Sequence, residues 1–195
     1  MRYGKPVACL FSILVVLVGA ALLDSTAQGP DGSPQTSEEL SWNDLTVNLY
    51  DVDFGPLLKD WRWLVDESCR PIAISALGDL FLQGSDGSVY WLDSGAGRLS
   101  RVASSPDEFE TLKAEPDHKG EWFQPELVAQ LKARGMDLDP GFCYGYKVPP
   151  ILGGKDDASN FEPTDVQVHF EVLGQLYDQS RDSLPVRPIE KGRAE

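Results

Sequence analysis

Phe142 to Gln175, FCYGYKVPPILGGKDDASNFEPTDVQVHFEVLGQ, is the stretch that most restricts what this chain can fold into. Gly145, Pro149, Pro150, Gly153 and Gly154 fix where its backbone must turn, because glycine admits left-handed backbone and proline locks one dihedral. Thr164-x-x-Gln167 then reads as a capping box opening a final helix from Asp165 to about Gln179. Val166, Phe170, Leu173 and Tyr177 share one face of that helix. Val168, Val172 and Leu176 widen the face, as in a buried helix. The stretch is dense in scaffold signals and holds no catalytic constellation.

Upstream, Pro71–Ser75, Asp79–Gln83, Val89–Asp93 and Arg98–Val102 are short strand-like runs. They are separated by the turn signals Gly84-Ser-Asp-Gly87 and Ser94-Gly-Ala-Gly97, so they predict an antiparallel meander. Three helices are expected besides the last. Pro56 to Asp66 places Leu57, Leu58, Trp61, Leu64 and Val65 on one face, which leaves Trp63 off it. Ser105 caps a second helix with Pro106 at its first position, and Phe109 and Leu112 turn inward. Gln124 to Arg134 forms the third, with Leu127, Val128 and Leu131 inward and Gly135 as its stop. EPDHKGE between them reads as a polar break, Phe142–Lys147 as a strand, and residues 149–162 as a long connection. The predicted class is α+β: an antiparallel sheet of about four to six strands with helices packed mainly on one side.

The ends have a different character. Arg2 and Lys5 precede an apolar run from Pro6 to Leu23, and Ser25-Thr26-Ala27 follows. Residues 1–27 therefore read as a signal peptide. Residues 6–23 also approach the roughly 17–25 residues that span a bilayer, so a signal anchor competes, as does a misassigned start codon. The expected location is exported, periplasmic or anchored in the inner membrane, or cytoplasmic if the start is misassigned. Residues 28–44 read as a flexible linker, 45–185 as the folded domain, and 186–195 as a polar tail.

The formal net charge of -14 argues against nucleic acid as a partner, and no basic patch interleaves with aromatics. It suits encounter with a basic protein, although acidity for solubility alone explains it as well. The acids Asp156, Asp157, Glu162 and Asp165, with Pro149 and Pro150, make the loop before the last helix the candidate partner-binding surface. No cofactor or metal site is expected. There are two histidines, His118 and His169, and no His-x-His, H-E-x-x-H or C-x-x-C pairing. Cys143, His169 and Asp165 are the one grouping that a thiol nucleophile could use, against an ordinary buried histidine pinning the helix. Cys69 and Cys143 either stay free or pair, and pairing adds about 4 kcal/mol in the chain-entropy model.

The motifs CYGYKVPPILGG and EPTDVQVHFEVLGQ, with Leu77-Gly-Asp-Leu-Phe and Gly87-Ser-Val-Tyr-Trp-Leu-Asp-Ser-Gly-Ala-Gly-Arg-Leu upstream, resemble the C-terminal domain of bacterial type VI secretion immunity proteins that neutralise DNase toxins. That domain also occurs free-standing and is similar in character to the SUKH immunity superfamily. The resemblance spans roughly Leu45 to Pro185. It implies a non-enzymatic protein that binds and blocks a cognate toxin. The alternative is an exported or membrane-anchored adaptor of the same fold with no toxin, and a hydrolase using Cys143 or carboxylates is the third reading.

Overall fold

The structure, a computed structural model, describes residues 40–181. The chain enters through a one-turn helix, α1 (Trp42–Leu45), a two-residue strand, β1 (Thr46–Val47), and another short helix, α2 (Phe54–Leu57). The meander follows as β2 (Arg70–Ser75), β3 (Leu80–Gln83), β4 (Val89–Asp93) and β5 (Arg98–Ala103). Next come α3 (Pro106–Leu112), α4 (Pro116–Phe123) and α5 (Pro125–Ala133), then β6 (Phe142–Tyr146), β7 (Phe161–Asp165) and α6 (Val166–Ser180). β1 to β5 form one antiparallel sheet in sequence order, and β6 and β7 form a separate antiparallel ribbon. The α+β class and the strand count predicted from sequence are those observed.

Alternation along the strands divides the core in two. Phe81, Val89 and Trp91 pack with Phe109, Trp122, Phe123, Leu127, Val128 and Leu131 of α3, α4 and α5. Leu80, Leu82 and Leu92 join Leu57, Leu58, Trp61, Val166, Phe170 and Leu173. Because successive side chains leave a strand on opposite sides, these clusters lie on the two faces of the sheet. Four short helices gather on one face, while α2 and the long α6 cover the other. Bulges in β2 and β5 set Ile72 with Ala73, and Val102 with Ala103, against the same cluster.

Phe81 is the centre of the first cluster. It is paired across the strands with Trp91, stacked at 13°, and its ring lies 4.8 Å from Phe109, 5.7 Å from Trp122 and 5.4 Å from Phe123. In the second, the Trp61 indole N–H donates to the Phe170 carbonyl at 2.9 Å, which fixes α6 to the turn at Lys59–Trp61.

Several local expectations are corrected. The single helix over Pro56–Asp66 is instead α2 followed by a 3-10 turn at Lys59–Trp61. Two tryptophans two residues apart cannot share a helix face, and breaking the helix lets Trp63 stack on Trp61 at 6.0 Å. The polar break EPDHKGE is most of α4, started by Pro116 and anchored only by Trp122 and Phe123 at its end. Residues 149–162 are not a plain connection, for they contain a 3-10 turn at Pro150–Leu152 and the start of β7. Pro163 hid that strand, and an edge position tolerates it.

The last helix begins at Asp165, whose carboxylate accepts from the Gln167 and Val168 amides at 2.9 and 3.2 Å; Thr164 is not the cap. Val168 and Val172 are exposed, so the helix buries one stripe only. The last residues of the expected linker belong to the fold: Trp42 packs edge-on against Phe123, and Asp44 pairs with Lys132 of α5. The signal or anchor segment, linker residues 28–39 and the tail from 182 lie outside the described residues. No helix among the described residues is long and apolar enough to cross a membrane.

Phe81→Ala is expected to lower stability by about 3–5 kcal/mol, as removal of a central core aromatic does. Urea unfolding followed by tryptophan fluorescence measures it, and an unchanged midpoint would show that Phe81 does not organise this face.

Candidate functional site

Two turns meet at one end of the sheet, and α6 passes behind them. The β2–β3 turn brings Asp79, the β4–β5 turn brings Ser94, and α6 brings His169. All three are buried, with exposures of 8, 0 and 4%. Asp79 Oδ1 accepts from the Ser94 amide at 2.9 Å and from its hydroxyl at 3.1 Å. Ser94 Oγ is in turn 3.0 Å from His169 Nε2. With the serine proton given to Asp79, the imidazole N–H at Nε2 donates to Ser94, which fixes its tautomer. Gly78 makes room for this packing: its φ is +83°, and a Cβ there would collide with the imidazole.

Sequence reasoning missed this cluster, since Asp79 and Ser94 are turn residues far in sequence from His169. Ser94-Gly95 was visible as hairpin chemistry, and Asp79 only as the start of a strand within Leu77-Gly-Asp-Leu-Phe. Its order also differs from a hydrolytic triad. Carboxylate and imidazole both bind the serine, and Ser94 is sealed from substrate. The structure does not assemble the thiol grouping either. Asp165 is committed to capping α6, His169 bonds Ser94, and Cys143 is fully buried. Burial, then the carboxylates of Asp79 and Asp165, push the Cys143 thiol well above its ordinary value, so a thiolate there is disfavoured. Cys69 and Cys143 are free thiols, so the disulfide weighed from sequence is not formed.

Burial holds the His169 imidazole down to about 4, only partly opposed by the Gly78 backbone. Burial and then the neighbouring Asp93 push the Asp79 carboxyl up to about 7. These groups act oppositely on stability. Asp79 costs stability as pH rises from about 4 to 7, because the unfolded chain ionises first. His169 costs stability as pH falls from about 6.5 toward 4, because only the unfolded chain takes the proton.

In front of the cluster is a pocket of about 260 Å³ whose lining includes Asp79, Trp91, Asp93, Glu121, Tyr146 and Asp156. Four of these carry carboxylates. Gln124, at the α4–α5 junction, also lines it and is the one non-glycine residue with positive φ, at 41°, among the described residues. An adjoining pocket shares Gln124 and Asp156 and adds Glu126 and Asp157.

The predicted partner-binding loop is divided by the structure. Pro150 and Asp156 reach the acidic pocket and Asp157 its neighbour. Pro149 precedes the 3-10 turn, Glu162 is exposed on the β6–β7 ribbon, and Asp165 is spent on the helix cap. The loop is stapled by Asn160. Its side chain accepts from the Val148 amide at 3.0 Å and donates to the Val148 and Lys155 carbonyls, both at 2.8 Å. Gly154 is obligatory, because a Cβ there would overlap the Val148 carbonyl oxygen. Among the described residues no group of three or more histidine, cysteine or acidic side chains converges to hold a metal ion.

Asn160→Ala is expected to cost about 1–3 kcal/mol and to speed hydrogen exchange at the Val148 amide selectively; protection unchanged there would mean the loop is held otherwise. Between pH 7 and pH 5 the wild-type chain is expected to lose about 2 kcal/mol more stability than His169→Gln, because the Asp79 contribution is common to both. Parallel pH profiles of the two in urea unfolding would contradict a depressed His169.

Residues 103–177 match the family model described as T6SS immunity protein Tdi1, C-terminal. The match starts at the end of β5, so most of the sheet lies outside it. No curated protein matches the sequence. Among solved structures, that of Atu4351 from Agrobacterium tumefaciens is similar at 17% identity and a TM-score of 0.38, over 55% of this chain and 54% of that one, so the chain spans about half of its length. The resemblance carried by CYGYKVPPILGG and EPTDVQVHFEVLGQ is thereby supported over residues 103–177, which are similar to a type VI secretion immunity-protein domain.

Proposed function

We propose that this chain is a non-enzymatic immunity protein that binds a cognate toxin and neutralises it by occlusion, through an acidic surface at the α4–α5 end of the fold. The family match over residues 103–177 carries the reading, because binding a toxin is what such a family implies. Two features support the acidic surface as the contact. Asp93, Glu121, Glu126, Asp156 and Asp157 gather around the two adjoining pockets, and the formal charge of the chain is -14. A field of that sign speeds encounter with a basic protein and disfavours wrong partners. The loop residues Pro149, Pro150, Asp156 and Asp157 contribute to this contact. Export or anchoring through residues 1–27 is part of the proposal, which places the encounter with the toxin outside the cytosol.

Occlusion asks nothing of Cys143 or His169 as reactive groups, in keeping with their burial. Coexpression with a toxin from a neighbouring gene of its own host, in a sensitive strain, is expected to restore growth, with the two proteins copurifying at equal stoichiometry. Continued killing while both proteins are soluble would overturn the reading in favour of an adaptor without a toxin.

A further inference from the structure

The pocket in front of Ser94 is built for a cation it does not supply. Lysine, arginine and histidine are absent from its lining, whereas Asp79, Asp93, Glu121 and Asp156 all contribute to it. Of these, Asp93 alone has an ion-pair partner among the described residues, Arg98 at 3.3 Å. Asp156 receives one long bond, from the Tyr146 hydroxyl at 3.5 Å, and Glu121 receives none. The deepest acid carries a second and independent signal. Asp79 is 8% exposed and lines the pocket, and both hydrogen bonds to its carboxylate end on Oδ1, which leaves Oδ2 free. The Trp91 indole N–H, 7% exposed and on the same lining, also makes no hydrogen bond. The Asp79 carboxylate is its polar neighbour, and the approach of the indole N–H lowers that carboxyl, against the larger effect of burial.

The shape selects among cations. No three of the carboxylates converge as a metal ion requires, so a point charge cannot engage them together. A guanidinium can, since it is flat and carries five N–H donors spread over its edge. At about 260 Å³ the pocket lies below the roughly 300–1,000 Å³ of drug-sized ligand sites, so it fits one side chain better than a whole small molecule. Trp91 and Tyr146 supply aromatic surface for an aliphatic stem and for cation–π contact. The adjoining acidic pocket continues the surface for the rest of a basic partner.

We propose that this pocket receives a single arginine side chain presented by a partner protein, its guanidinium bound by Asp79, Glu121 and Asp156 and its stem lying against Trp91 and Tyr146. The identity of that partner as a toxin rests on the immunity reading above; the pocket's preference for arginine does not. Arginine docking would also supply the counter-charge that Asp79 lacks, whose carboxyl burial now pushes up.

The test uses the full chain and N-acetyl-arginine methylamide, followed by NMR at the Trp91 indole N–H and the Ala96 and Gln124 amides. Saturable shifts at these groups are expected. The uncharged citrulline analogue and the Glu121→Gln/Asp156→Asn double variant, altered only at exposed positions, should each bind at least tenfold more weakly. Absence of saturable shifts, equal binding of citrulline or of the lysine analogue, or unchanged affinity in the double variant would overturn the proposal. No toxin enters this experiment, so the two readings fail separately. Probe binding without growth rescue removes the immunity reading alone, and rescue without probe binding removes the pocket alone.

Discussion

The bond chain from Asp79 through Ser94 to His169 is the contact on which the functional end of this protein depends. It joins two hairpin turns to the one long helix across 75 and 15 residues of sequence, with Ser94 and His169 buried and Asp79 at the edge of the pocket. Buried polar groups are costly unless paired, so each of these partners holds the others in place. With α6 fixed from behind, the β2–β3 and β4–β5 turns are held apart at the spacing that leaves the acidic pocket between them. The same closure that makes this cluster a good pin removes it from chemistry: Ser94 is inaccessible and His169 is held neutral at neutral pH.

The two faces of the sheet divide the work. One is an aromatic stack around Phe81 and Trp91 that seats α3, α4 and α5, and these helices bring Glu121 and Gln124 to the rim of the pocket. The buried part of the other is aliphatic apart from Trp61, Phe170 and Cys143, and it seats α6. Trp91 belongs to both stories, since it stacks on Phe81 in the core and also lines the pocket. The β6–β7 ribbon closes the third side. Its Tyr144 amide bonds the Ala76 carbonyl at 2.7 Å, next to the turn that carries Asp79, so the segment that resembles the immunity domain and the preceding sheet share one wall of the site.

The acids of the pocket and of the loop before the last helix are of two kinds, and the difference matters for what they can bind. Asp165 and Asp157 are engaged with backbone amides that follow them in the chain, at Gln167 and Ser159, and are structural at least in part. Glu121 and the free oxygen of Asp79 have no such duty. A cationic partner gains most from carboxylates that nothing inside the protein already satisfies. The acidic loop seen in sequence is thus only one bank of the site, and the other bank comes from α4 and the hairpin turns.

Much was legible in the sequence where the cause is local. Ser105 before Pro106, Gly135 after Arg134, the meander strands and their Gly-rich turns all follow from backbone preference and short-range capping, and the structure has them where those signals stand. The immunity-domain resemblance was also carried by local motifs. What failed lacked a local signal. α4 is polar until its last turn, β7 contains Pro163, and the Trp61–Trp63 pair decides its backbone by stacking. The site was least legible of all. Asp79, Ser94, Glu121 and His169 come from four elements, and their proximity is set by how the two faces of the sheet are packed. The sequence by itself determined which elements form and where they turn, because those choices are made within a few residues. Only the tertiary structure decided which carboxylates would be buried and left unpaired, because burial and pairing depend on neighbours far along the chain.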